Sequence, residues 1–78
     1  MEHEVWNEIW RTEQKKKKKT ETIGVEVNKE GDGRFFYLIR EDLEDGDFRM
    51  GEGILIEVER SSLIILAQNI LTSLNAKK

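Results

Sequence analysis

Five consecutive lysines, Lys15 to Lys19, are the densest chemical signal in this 78-residue chain. Adjacent like charges repel, so the run belongs in water as a loop, where its ammonium groups could track phosphates. Trp6, Trp10 and Arg11 precede it; Arg34, Phe35 and Tyr37 follow. Aromatic rings stack on unpaired bases at about 1–3 kcal/mol per base, and cations release counterions from a phosphate backbone. Together these residue types suit a single-stranded polyanion. Each also has a plainer use. The lysine run serves solubility as a solvated turn, the tryptophans fill a core or a subunit seam, and Arg11, Arg34, Arg40 and Arg49 pair with the plentiful carboxylates on the surface.

Other chemistries lack their parts. There is no cysteine, so disulfides and thiolate metal sites are excluded. The one histidine, His3, sits near a chain end, which argues against a His-based zinc site, a Cys-His pair or a Ser-His-Asp triad. Asp42, Glu44, Asp45 and Asp47 invite a calcium reading. Glycine falls at the fifth place counted from Asp42, however, and no matching glutamate closes a calcium loop. Gly24, Gly31 and Gly33 precede no helix, so they are not a phosphate cradle. The expectation is a non-catalytic protein with no cofactor, metal or small-molecule substrate.

Hydrophobic and charged residues each make up 37% of the chain, enough apolar material for one small core. A single domain over 1–78 is expected. A chain of this length buries only about 60–65% of its unfolded surface and commonly needs a metal, a disulfide or a partner. With the first two excluded, oligomerisation is the expected source of stability. The net charge of −3 is uneven: residues 1–19 carry six basic and four acidic side chains, and residues 20–78 carry seven and twelve. Glu2, His3 and Glu4 do not open a leader peptide, and the longest apolar run, Leu63 to Ala67, is far too short to span a bilayer. A soluble cytoplasmic protein without membrane partners is expected.

Residues 20–29 read as a strand, since Ile23, Val25 and Val27 alternate with Gly24, Glu26 and Asn28. Glu30-Gly31-Asp32-Gly33 signals a reversal. The next strand is 34–41, with Phe35, Tyr37 and Ile39 on one side and Arg34, Phe36, Leu38 and Arg40 on the other. Residues 42–52 are acidic and turn-rich, and 53–60 form a further strand with Ile54, Ile56 and Val58 on one side. Ser61 or Ser62 offers a helix N-cap. Leu63, Leu66, Ala67, Ile70 and Leu74 then make a helical stripe. Ile64, Ile65 and Leu71 fall off that stripe, and a second copy of the chain is the simplest cover for them. Lys15–Lys19 reads as a loop and 76–78 as a frayed tail. Residues 3–14 suit either a strand or a helix; Trp, Val, Ile and Thr enrichment favours the strand, with Trp6, Trp10, Glu4, Glu8 and Thr12 on one face. The class is α+β: a four-stranded antiparallel sheet followed by one C-terminal helix, β-β-β-β-α.

That order resembles the PUR repeat, the purine-rich-element-binding module, and more broadly the Whirly and transcriptional positive-coactivator families. The resemblance covers nearly the whole chain. It is carried by VWNEIWRT, VEVNK, EGDG running into RFFYLIRE, and GILIEVERSSLIILAQNIL. It implies a homodimer intertwined through its helices, here through Ile64, Ile65 and Leu71, whose open sheet faces hold single-stranded DNA or RNA. On the family pattern Phe36 and Leu38 lie inside, and Phe35, Tyr37 and Ile39 make the open row; the reversed assignment puts the latter three in the core. The family usually has basic side chains on the open face of the second and third strands. Glu26, Asn28 and Tyr37 stand at those positions here, leaving stacking and the lysine run as the means of binding. The competing expectation is a homodimeric protein–protein interaction or regulatory module with no nucleic-acid role.

Overall fold

Alternating apolar residues make strands because successive side chains of an extended backbone leave opposite faces. The computed structural model describes residues 4–76; His3 and residues 77–78 of the expected frayed tail lie outside them. Four strands, β1 (Asn7–Lys16), β2 (Lys19–Val27), β3 (Gly33–Asp42) and β4 (Phe48–Val58), precede one helix, α1 (Arg60–Asn75). The strands form a single antiparallel sheet in the order β1-β2-β3-β4. The expected β-β-β-β-α fold is therefore the observed one, and the ambiguous opening segment is a strand.

Partners across the ladders project from the same side, so the register sorts the sheet into two faces. Trp10, Val25, Phe35 and Ile56 form one cross-strand row, and Thr12, Ile23, Tyr37 and Ile54 form the next. This is the apolar face. Arg11, Gly24, Phe36 and Leu55 form a row on the opposite side, flanked by the row of Glu8, Glu26, Arg34 and Glu57. This is the arginine face. Gly24 is required there, since a Cβ at that position would come within 2.2 Å of the Phe36 ring. The ring packs against the β2 backbone at Gly24, and Phe36, at 8% exposure, is the one buried apolar side chain among the described residues.

The turns differ from expectation in instructive ways. Lys15 and Lys16 belong to β1 and Lys19 to β2, so the lysine loop is a tight turn at Lys17 and Lys18. β4 begins at Phe48, well before residue 53, because Phe48 and Met50 continue the pairing opposite Asp42 and Arg40. The β2–β3 reversal is organised by Asn28. Its side-chain oxygen accepts from the Glu30 and Asp32 amides at 3.1 and 2.9 Å, and Gly31 takes the positive φ of 91°.

Helix α1 starts at Arg60, ahead of Ser61 and Ser62, so neither serine is the N-cap. Glu59 holds that position without a side-chain cap. The Asp32 carboxylate, reaching across from the β2–β3 turn, accepts from the Arg60 amide at 3.0 Å. At the next turn Leu63 packs on Gly33, where a Cβ would meet its methyl at 2.7 Å. Gly33 shares its side of β3 with Phe35 and Tyr37, so α1 sets out from the apolar face.

Beyond that first turn the helix does not fold back. No α1 residue is buried, and the packing is carried by the three strand–strand ladders. The Cα radius of gyration is 15.8 Å and the extents are 48 × 44 × 16 Å. A compact chain of this length would have a radius near 11.5 Å. Asp32→Ala should lower unfolding stability by about 1 kcal/mol in urea titrations. Ser61→Ala and Ser62→Ala should each change it by only a few tenths; a larger loss at either serine would refute this assignment of the cap.

Candidate nucleic-acid interface

Three arginines on the arginine face each lie against an aromatic ring. Arg34 Cζ sits 4.3 Å from the Trp6 ring centroid, Arg11 5.7 Å from Phe36 and Arg40 5.1 Å from Phe48. A guanidinium plane on a ring is favourable because the ring face is electron-rich. Arg34 and Arg40 are six residues apart on β3, so the ladder of pairs runs about 20 Å along the sheet. A depression of about 170 Å³ opens toward one end of it, between Arg11, Thr22, Leu38, Arg40, Phe48 and Met50.

Carboxylates hold these arginines in place. Arg34 donates to Glu26 at 2.9 Å, Arg11 to Glu8 at 2.8 and 2.6 Å, and Arg40 to Asp42 at 3.1 Å. Thr20, buried, donates to Asp42 at 3.2 Å and accepts from Arg40 at 3.3 Å. The hydrogen bond and charge of Glu8 raise the Arg11 pKa. Counted by register, this face carries four cations (Arg11, Lys15, Arg34, Arg40) and five carboxylates (Glu8, Glu13, Glu26, Asp42, Glu57). It is therefore a surface of planar groups rather than a field of positive charge.

Positive charge is concentrated at one end of the sheet. Lys16 and Lys19 stand directly opposite each other across the β1–β2 ladder, and Lys17 adopts φ 45°, a left-handed conformation costly for a side-chain-bearing residue. Lys16 meets Glu21 at 3.5 Å. The other four lysines make no ion pair among the described residues. The acidic β3–β4 loop lies at the same end, and the Asp42 amide donates to the Lys18 carbonyl at 2.7 Å. On the apolar side of that end, the hydrogen bond and charge of Arg49, with lesser help from Lys19 and Lys18, hold the Glu41 carboxyl below the usual carboxylate range.

The sequence-derived candidates divide between the two faces. Trp6, Arg11, Arg34 and Lys15 lie on the arginine face; Trp10, Phe35 and Tyr37 lie on the apolar face with Lys16 and Lys19; Lys17 and Lys18 form the turn. Trp6 and Trp10 do not share a side. A β-bulge between Glu8 and Trp10 inserts one residue and reverses the alternation, which puts Glu8 with Trp6 and Thr12 with Trp10. The row Phe35, Tyr37 and Ile39 is on the side that α1 approaches, and Phe36 and Leu38 are on the bare side, the reverse of the family-based assignment. Arg40 and Phe48 join the ladder. Arg40 was legible as a cation, but Phe48 was hidden in a segment read as turn. Ile64, Ile65 and Leu71 are all exposed on α1.

No family model, curated protein or solved structure matches this chain. No helix among the described residues is long and apolar enough to cross a membrane.

Glycine relieves a left-handed backbone and alanine does not, yet both remove one charge. Lys17→Gly should therefore be more stable than Lys17→Ala by about 1 kcal/mol in chemical unfolding. Equal stability of the two variants would contradict the turn geometry.

Proposed function

We propose that this chain is a non-catalytic homodimer that holds single-stranded DNA or RNA on its arginine face, with the lysine turns contacting phosphates. The observation that carries the reading is the ladder of arginine–aromatic pairs at Trp6, Phe36 and Phe48 on the side of the sheet that α1 leaves bare. The Arg34–Trp6 and Arg40–Phe48 pairs offer planar groups to an unpaired base, and over the buried Phe36 the guanidinium of Arg11 does so; none of this needs a particular sequence. The arginines are already matched by carboxylates, so long-range attraction falls to Lys15–Lys19. The resemblance to PUR repeats supports the same reading, with a cytoplasmic location as its natural setting.

The apolar face and α1 supply the reason for two copies. Ile54 and Ile56 on the sheet and Ile64, Ile65, Leu71 and Leu74 on the helix are all exposed in the single chain. These six side chains are about half covered already, so burying the rest is worth about 1 kcal/mol each, a gross gain on the order of 5 kcal/mol and a large fraction of the stability of a small domain. A second copy brings an apolar helix to an apolar sheet face and receives the same in return.

One observation favours a different class, a homodimeric interaction module with no nucleic-acid role: every arginine of the ladder has a carboxylate partner within 3.1 Å. Binding to oligo-dT separates the two. Affinity should fall steeply with salt, and replacing Lys15–Lys19 with serine should flatten the log–log slope by up to about 3.5. Oligonucleotide should quench the Trp6 emission of a Trp10→Phe variant and leave a Trp6→Phe variant nearly unchanged. No binding at low salt would favour the interaction module. For the dimer, Ile64→Asp with Leu71→Asp should lower the mass measured in solution; a wild-type chain that already sediments as a monomer would defeat it.

A further inference from the structure

The two edges of the sheet are not alike. Both leave a row of backbone donors and acceptors without a neighbouring strand. The β1 edge is guarded. It is broken by the bulge at Glu8–Trp10 and lined with Arg11, Glu13, Lys15 and Lys16. Charge and bulges are the means by which edges resist pairing. The second half of β4, Gly53 to Val58, has no such guard. Its register with β3 is unbroken from Gly53 to Val58. Leu55 projects from the arginine face at 57% exposure, and Ile54 and Ile56 from the apolar face at 56% each. Glu57 is its one charge, and the chain has no proline to block a neighbour. A straight edge that is apolar on both sides is either covered or prone to aggregate.

We infer that β4 of one copy pairs antiparallel with β4 of a second copy about a twofold axis normal to the sheet. This inference rests on the homodimer proposed above and specifies where the copies join. The geometry is self-consistent in three respects. A twofold axis placed there makes like strands antiparallel and keeps like faces on the same side. Both helices then lie on the apolar side of one eight-stranded sheet. α1 leaves β4 after a single residue, Glu59, and so begins next to the joining edge, from which about 24 Å of helix can cross onto the partner's sheet. The arginine faces become continuous through Leu55 and its copy, so a strand of nucleic acid meets one track and not two separate ones. The site is thus completed by the second copy.

The absence of cysteine makes a clean test possible. Single cysteines are placed at each position from 53 to 58 and, as a control, from 8 to 15, and each full-length variant is oxidised. An antiparallel pair about a twofold axis brings a residue near its own copy at the axis alone; one residue further along, the separation exceeds disulfide reach. Cross-linking should therefore peak sharply at one position within 53–58 and be absent along β1. Circular dichroism identifies any variant that fails to fold; for such a position, oxidising a mixture of the variants one residue before and one residue after it reads the same axis, because those two face each other across it. Uniform cross-linking along both strands, or none along β4 while the uncross-linked protein sediments as a dimer, would overturn the edge pairing and leave the dimer standing. A monomeric mass for the unmodified chain would overturn both.

Discussion

A helix with no charged side chain after its first residue, Arg60, is poorly suited to stand alone in water, and that constraint governs this molecule. From Ser61 to Asn75 there is not one Asp, Glu, Lys or Arg. Half of the sixteen residues of α1 are apolar and call for cover, and a helix of this length is marginal without tertiary contacts. Here α1 is tied down at its start alone, by the Asp32 carboxylate on the Arg60 amide and by Leu63 on Gly33. These contacts fix its direction but cover almost none of its surface. The sheet has the complementary deficit, with Ile23, Ile54 and Ile56 open on the side from which the helix departs. Both halves of a core are present, and the chain does not bring them together.

The division of the sheet into two unlike faces follows. In the proposed dimer the apolar side is consumed by association, which leaves the arginine side to any ligand. The packing there is thin: Phe36 packs on Gly24, and arginines bridge rings and carboxylates across three strands. Such a surface presents planar groups and carries little net charge of its own. Under the proposed function, the planar groups would meet bases and the separate basic turn would meet phosphates, as an unpaired strand requires.

Much of this was legible in the sequence because alternation is a local property. Ile23, Val25 and Val27, then Phe35, Tyr37 and Ile39, then Ile54, Ile56 and Val58 mark three strands and assign them to a common face, and the ladders place all nine on the same side. Ile64, Ile65 and Leu71 are exposed, but so are Leu66, Ile70 and Leu74 of the stripe expected to cover the sheet, so the helix lacks cover on both sets. What was not legible depends on single-residue insertions or on distant contacts. Nothing in NEIWR marks the bulge, yet that one residue separates Trp6 from Trp10. The cap of α1 comes from Asp32, far away in sequence, and so the adjacent serines misled. Phe48 and Met50, surrounded by acidic residues and glycine, look like turn until Arg40 and Asp42 stand opposite them. Periodicity also could not decide which face of β3 α1 approaches, since both carry aromatic residues.

The central claim is that α1 is covered by another molecule of the same chain. Backbone amide exchange along 63–74, followed across a wide range of protein concentration, tests it most directly. Protection that is strong in concentrated solution and collapses on dilution, together with that of Ile54 and Ile56, is the predicted result. Protection of the helix that does not vary with concentration would mean that it is covered within a single chain, and the account would be contradicted.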